Sequence, residues 1–239
     1  MRPLTLTLFG PPHLIVDGTE VQFNQRKPLA LLAYLAVTGH SHSRATLAAL
    51  LWPEYAGARN YLRNVLSMVR QDLGENWGDF LAIERNDVAW RPDAPAFVDV
   101  RAFEAHLASW RGHHHDDGIL CAACRAALEQ AVALYIDDFL AGFGVADSAD
   151  FDDWCLMQQE HLRRGLTTAL DALSDFHTAQ GELTTALTMA RRRLRVDPLD
   201  EATHRRLMQL YHADGQRVHA LRQYDECVRL LQQGLAVPP

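Results

Sequence analysis

The side chains best suited to recognise a chemical partner lie on one segment, residues 57–73. Apolar residues recur along it at the spacing of one helix face, at Leu62, Val65, Leu66, Val69 and Leu73. The opposite face of such a helix carries guanidinium, amide and hydroxyl groups, from Arg59, Asn60, Arg63, Asn64, Ser67 and Arg70. Arginine pairs with guanine, asparagine with adenine and serine with either, so such a helix suits the DNA major groove. The alternative interpretation is the solvated face of a core helix.

The charge around this helix favours an anionic partner, although the chain as a whole is acidic. Its 239 residues carry a net charge of -7. Residues 1–95 hold nine basic and nine acidic side chains, so the net charge comes from residues 96–239. Between Tyr55 and Gln71 there are three arginines and no acidic residue. A local cationic stretch of this kind suits a polyanion.

The elements predicted around this helix form a winged helix-turn-helix. Two helices precede it, one over Arg26–Val37 and a shorter one after Ser43, which is a suitable N-cap. A hairpin follows it, over Phe80–Arg85 and Val88–Arg91. This order of elements supports DNA binding by residues 57–73, because a helix-turn-helix places its recognition helix in the major groove.

Two arginines are predicted to grip phosphates rather than bases. Arg85 lies at the tip of the hairpin, next to the turn formed by Asn86-Asp87, and Arg70 lies late in the helix. The alternative for the hairpin is an ordinary turn without a partner.

A small antiparallel sheet is predicted at the start of the chain. Leu4–Leu8 alternates leucine with threonine, which is the period of a strand. Further strands are predicted over His13–Val16 and Glu20–Phe23, joined by a turn at Asp17-Gly18.

Beyond Pro92–Pro95, which predicts a domain boundary, the sequence is almost wholly helical. The predicted helices are Val100–Trp110, Cys121–Leu140, Phe151–Gln180, Glu182–Arg195, Glu201–Asp214 and Gln216–Leu235. A Gly-x-x-x-x-Ala-Leu pattern recurs at an offset of 34, from Gly181 to Gly215, and this is the tetratricopeptide period. The predicted fold is therefore an α+β winged helix-turn-helix domain, residues 1–95, followed by an all-α tetratricopeptide-like helical repeat domain, residues 96–239.

Histidines and cysteines cluster near residue 120. His113 and His115 precede Cys121 and Cys124, and together they could supply four zinc ligands. A complete zinc module usually has two well-spaced pairs, whereas one side here is a run of histidines. The favoured interpretation is an exposed loop followed by two cysteines buried on a helix, and we expect no metal.

The sequence lacks the motifs of common enzyme classes and of membrane proteins. It has no phosphate-binding loop, dinucleotide fingerprint, nucleophile elbow or zinc-protease motif, so we expect no enzymatic activity and no cofactor. No apolar run approaches the roughly 20 residues that cross a bilayer, and no signal peptide is evident. We expect a cytoplasmic protein with reduced cysteines and no membrane partner.

Short segments spread over essentially the whole chain resemble the sequence motifs of one known protein family. In the first part they are Thr5–Gly10, Arg26–Ala36, Leu50–Pro53 and Ala58–Asn64. In the second part they are Ala131–Tyr135, Phe139–Phe143, Phe151–Trp154, Val196–Glu201, Ala220–Tyr224 and Leu235–Pro238. The chain thereby resembles the Streptomyces antibiotic regulatory protein (AfsR/DnrI-type) family, and its second part resembles that family's bacterial transcriptional activator domain.

This resemblance implies an OmpR-like winged helix-turn-helix that binds direct repeats in double-stranded promoter DNA. It also implies activation by contact with RNA polymerase, and the binding of repeats is compatible with a homodimer. Family members commonly carry further domains after this module. The chain is therefore either a small regulator or the N-terminal part of a larger one.

Two alternatives from other classes stay open at this point. The protein could be an interaction scaffold whose repeat domain binds a partner and whose winged domain serves for docking. It could also be a metal- or redox-responsive regulator that uses Cys121 and Cys124.

Overall fold

The computed structural model describes residues 4–114 and 120–234. The chain packs into two compact units, one made of Met1–Glu104 and Leu134–Leu162, the other of Ala105–Ala133 and Arg163–Pro239. The predicted combination of a winged α+β part and a helical repeat part agrees with the order of elements. The division into domains at residue 95 stays a prediction.

The described strands are β1 Leu4–Thr7, β2 His13–Val16, β3 Thr19–Glu20, β4 His42–Ser43, β5 Leu81–Ile83, β6 Asp87–Trp90 and β7 Ala96–Val98. The described α-helices are α1 Arg26–Thr38, α2 Arg44–Leu51, α3 Ala58–Leu73, α4 Asp99–Arg111, α5 Ala122–Leu134, α6 Ala149–Ala179, α7 Leu183–Val196, α8 Glu201–Ala213 and α9 Arg217–Gly234. A 3-10 turn over Gly74–Asp79 follows α3.

The N-terminal sheet has the strand order β3-β2-β1-β7. Asp17 and Gly18 both have positive φ, at 53° and 74°, as a type I′ hairpin turn requires. This turn places Val16 opposite Thr19, so β3 starts at Thr19. The prediction of a strand over Glu20–Phe23 was therefore wrong in register and length.

Strand β7 was not predicted, and it runs parallel to β1. Leu4 pairs with Ala96 and Leu6 pairs with Val98, across about ninety residues of sequence. A parallel pair has no connecting turn and so leaves no local sequence signal. The strand lies directly after the proline-rich segment that predicted a domain boundary.

Asp99 fastens the end of β1 to the start of α4. Its buried carboxylate accepts hydrogen bonds from the backbone N–H of Leu8, at 2.9 and 2.8 Å, and from that of Phe9, at 2.9 Å. The N–H of Val100 donates a further bond of 2.7 Å. Burial raises the pKa of this carboxyl, while the backbone donors act in the opposite direction.

The helix-turn-helix and its wing share a small three-stranded sheet, with the strand order β4-β6-β5. The Ser43 hydroxyl accepts the N–H of Thr46 at 3.0 Å, which confirms Ser43 as the N-cap of α2. Strands β5 and β6 form the predicted hairpin, with Ile83 opposite Val88. Strand β4, which was not predicted, pairs with β6 and ties the start of α2 to the wing.

Helix α5 ends at Leu134, so the prediction of a helix through Leu140 was wrong. Residues beyond it pair with the chain after β1 instead, because Leu140 donates to the Leu8 carbonyl at 2.8 Å and Gly10 donates to that of Asp138 at 2.9 Å. Leu140 also has a φ of 51°, outside the helical region.

The 34-residue repeat is visible in the turns of the helical unit. Gly181 and Gly215 have nearly equal φ angles of 74° and 72°. The N–H after each glycine donates back across the turn over the same distance, 2.8 Å, from Glu182 to His177 and from Gln216 to Tyr211. One hydrophobic cluster of this unit consists of Ala186, Leu187, Ala190, Leu207, Leu210 and Tyr211.

None of the helices described in residues 4–114 and 120–234 is both long enough and apolar enough to cross a membrane.

We expect Asp99→Ala to lower the free energy of unfolding by about 1–3 kcal/mol, because buried N–H groups of Leu8 and Phe9 lose their acceptor. Chemical denaturation measures this change. The matched control is Asp72→Ala, whose side chain is exposed and should change stability by less than about 0.5 kcal/mol. Equal effects of the two substitutions would contradict the role of Asp99.

We expect Gly181→Ala and Gly215→Ala each to destabilise the protein by about 1–2 kcal/mol, because both positions are left-handed. A Cβ would meet no neighbouring atom at either site, so the cost is conformational rather than steric. Gly78→Ala is the control, since it also has open space around its Cβ but no positive φ. Urea midpoints that fall equally for all three variants would refute this interpretation.

Candidate nucleic-acid interface

Helix α3 buries the face that its sequence predicted. Its buried residues are Leu62, Val65, Leu66, Val69 and Leu73. The predicted partner-binding side chains of this helix are all exposed, namely Arg59, Asn60, Arg63, Asn64, Ser67 and Arg70. Arg59, Arg63 and Ser67 follow one another at intervals of four, so they lie along one side of the helix. The first turn of α3 carries no acidic residue.

An aromatic cluster sets the start of α3 against the end of α2. The ring of Tyr61 stacks on Trp52 at 6.0 Å, and Tyr55 meets Tyr61 edge-on at 5.6 Å. The Lys27 ammonium lies 4.6 Å from the centre of the Trp52 ring and donates to the Leu51 carbonyl at 2.6 Å. Tyr55 and Tyr61 remain substantially exposed, so this cluster adjoins the polar face of α3.

The polar face of α3 and the tip of the wing share one concavity of about 360 Å³. We call it the arginine concavity, and its lining residues are Ser43, Arg44, Ala45, Arg59, Arg63, Arg85 and Asn86. Four of these carry a guanidinium group and none is acidic. The structure thus brings Arg59 and Arg63 of α3 together with Arg85 of the turn between β5 and β6.

Arg44 is a member of the concavity that the sequence analysis missed. Its Nε and Nη2 donate to the Glu84 carbonyl at 3.2 and 3.0 Å, and its backbone N–H donates to the Asn86 carbonyl at 2.8 Å. These bonds hold the wing turn against the start of α2. Sequence spacing gave no signal for this role, because it depends on residues about forty positions further along the chain folding back onto the start of α2.

Arg70 lies apart from the concavity. It is eleven residues beyond Arg59, about 16 Å along the helix axis. Its guanidinium carbon lies 4.4 Å from the centre of the Trp77 ring, over the 3-10 turn that follows α3. Stacking on an aromatic ring leaves the edge donors of a guanidinium available.

The histidine and cysteine cluster lies in the helical unit. His113, which follows α4, has its Nδ1 3.1 Å from the Sγ of Cys124 and 3.4 Å from the Sγ of Cys121. His115 lies outside the described residues. The structure therefore brings together three of the four candidates that the sequence suggested.

Comparison with known proteins identifies a family for the second part of the chain. The model of the bacterial transcriptional activator domain matches residues 98–239. No curated protein matches the chain.

A solved structure of Mycobacterium tuberculosis EmbR, in complex with a low affinity phosphopeptide, has a similar fold. The similarity covers 100% of this chain and 62% of that chain, with a TM-score of 0.72 and 20% sequence identity. The chain thus spans less than two thirds of the length of EmbR, and the likeness concerns the fold.

Proposed function

Because the chain belongs to the bacterial transcriptional activator domain family, we propose that it reads promoter repeats with α3 and recruits RNA polymerase through its helical part. The resemblance seen in the sequence is supported by the match of residues 98–239 to the bacterial transcriptional activator domain and by the fold shared with EmbR. Transcriptional activation of the Streptomyces antibiotic regulatory protein type is the function that we propose from this family membership.

The observation that carries the proposal is the arginine concavity. Arg59 and Arg63 of α3 adjoin Arg85 of the wing turn, with no acidic side chain among the lining residues. A duplex laid along α3 meets base edges at the helix and phosphates at the wing. Residues 1–95 carry no net charge, but salt screens exposed charges that lie more than about one Debye length away. The charges close to the DNA therefore decide the attraction, and in the concavity these are arginines.

We assign base contacts to the exposed side chains in the first half of α3, Arg59, Asn60, Arg63, Asn64 and Ser67. Arg70 and Arg85 are assigned to phosphates. Arg44 is given a positioning role, because two of its donors already hold the Glu84 carbonyl. A single winged domain makes few base contacts, which favours binding of two copies to direct repeats.

The contact with RNA polymerase is assigned to the helical part. Helix α9 exposes large apolar side chains at Val218, Leu221 and Tyr224, which lie at intervals of three. Exposed apolar side chains that lie together on one face favour a protein partner. Contact with a second copy of the chain is the alternative for this surface.

The proposal is tested by fluorescence anisotropy with a direct-repeat duplex selected from a randomised pool by the wild-type protein. We expect Arg63→Ala to weaken binding by about 1–3 kcal/mol, roughly 5- to 150-fold, and to relax the preference over a scrambled duplex. Arg70→Ala should bind less tightly to both duplexes and reduce the log–log salt slope by about one, because one phosphate contact is lost.

Arg217→Ala is the matched control, since it removes the same charge from an exposed position on α9. We expect its affinity and salt slope to equal those of the wild type. If selected and scrambled duplexes bind equally, and Arg63→Ala behaves like Arg217→Ala, the proposal is wrong. The scaffold hypothesis, in which the winged domain serves for docking, would then be favoured.

A further inference from the structure

The helical unit contains a compact group of nitrogen and sulfur donors that DNA binding does not use. It consists of His113, Cys121 and Cys124, and the ligand atoms of the three residues lie within 4.8 Å of one another. Cys124 is buried, Cys121 is half-buried and His113 is exposed. The group therefore sits at the surface with one sulfur turned inward, where an ion can enter from solvent.

The separations of these atoms are close to those of ligands around one metal ion. Zinc lies about 2.3 Å from sulfur and about 2.1 Å from nitrogen, so tetrahedral angles place such a sulfur and nitrogen about 3.6 Å apart. The observed distances from His113 Nδ1 are 3.1 Å to Cys124 Sγ and 3.4 Å to Cys121 Sγ. Lengthening these two distances by about half an ångström or less gives the nitrogen–sulfur separation of that geometry. The two sulfurs lie within 4.8 Å of one another.

The start of α5 favours a thiolate at Cys121. This residue immediately precedes the helix, and its Sγ accepts the backbone N–H of Cys124 at 3.4 Å. The positive end of a helix stabilises a nearby thiolate, and the thiolate is the form that binds metals.

We propose that His113, Cys121 and Cys124 form a zinc site that clamps the connection between α4 and α5. Two thiolates and an imidazole are the donor set that zinc prefers over magnesium or calcium. Three protein ligands leave a fourth position, which a water molecule fills. The clamp joins the chain just after α4 to the first turn of α5, and it acts independently of the DNA-binding surface.

A Cys121–Cys124 disulfide is the competing use of the same cysteines. Both are free thiols in the structure. The Nδ1 of His113 contacts both sulfurs. A disulfide would not require this third donor, whereas a metal ion would bind all three atoms, so the contact favours the metal site.

The site is tested with the untagged 239-residue chain, which is kept reduced and stripped of metal with a chelator. Cobalt replaces zinc in such sites and reports thiolate ligands by a charge-transfer band. We expect one cobalt ion per chain with that band, its displacement by one equivalent of zinc, and a higher melting temperature with zinc than without.

Substitutions of the ligands should separate their contributions. We expect Cys121→Ser to lose most of the charge-transfer band and to bind zinc at least about 100-fold more weakly, since even outer partners of a metal cost 10- to 100-fold. His113→Gln should keep the band but bind at least about 10-fold more weakly. Cys227→Ser, which removes a buried thiol on α9, is the control and should bind like the wild type.

The proposal is overturned if the reduced wild type binds no stoichiometric cobalt or zinc. It is equally overturned if Cys121→Ser, shown by circular dichroism to be folded, keeps the wild-type band and affinity. The reduced protein is also exposed to zinc in the presence of air. If a Cys121–Cys124 disulfide then forms and no zinc is bound, the proposal is wrong and the cysteines are assigned to redox chemistry.

Discussion

The burial of one face of α3 is the constraint on which the candidate interface depends. Leu62 is 1% exposed, Val65 and Leu66 are 3% exposed, and Val69 is fully buried. Each such side chain gains about 1.5–3 kcal/mol from burial, so a rotation of the helix that released them would be prohibitively costly. The same rotation would bury guanidinium groups without partners. The polar side chains of α3 consequently face outward because the opposite face of the helix is buried.

Hydrogen bonds to the backbone, and not side-chain packing alone, fix the position of the wing relative to α2 and α3. Strand β4 leads directly into α2 and pairs with β6, and Arg44 adds bonds to the turn that carries Arg85. The separation between Arg85 and α3 is therefore set by a sheet and a helix start, which are stiffer than a free loop. A site built on such elements keeps its geometry better than one built on mobile segments.

Local patterns in the sequence were sufficient for the elements that carry the candidate interface. The apolar spacing of α3, the Ser43 cap and the wing hairpin each depend on neighbouring residues, and each was predicted. Strand β7 and the end of α5 depend instead on pairing with β1 and the residues after it, across long stretches of chain. Propensity within Cys121–Leu140 favours a helix throughout, and only this distant pairing ends it at Leu134. Arg44 was missed for a related reason, because its role arises from the fold of the wing back onto α2.

The cysteine and histidine cluster shows the same division between local and distant information. The spacing of Cys121 and Cys124 places both sulfurs at the start of one helix, and this much follows from sequence. The contribution of His113 does not, because α4 ends at Arg111 and the residues after it have no helical period to orient them. A run of histidines in sequence suggests several equivalent donors, whereas the fold brings the Nδ1 of His113 within 3.4 Å of both sulfurs. The two cysteines of the proposed site follow from a local motif, whereas the position of His113 follows from the fold. Sequence spacing alone therefore favoured an ordinary loop.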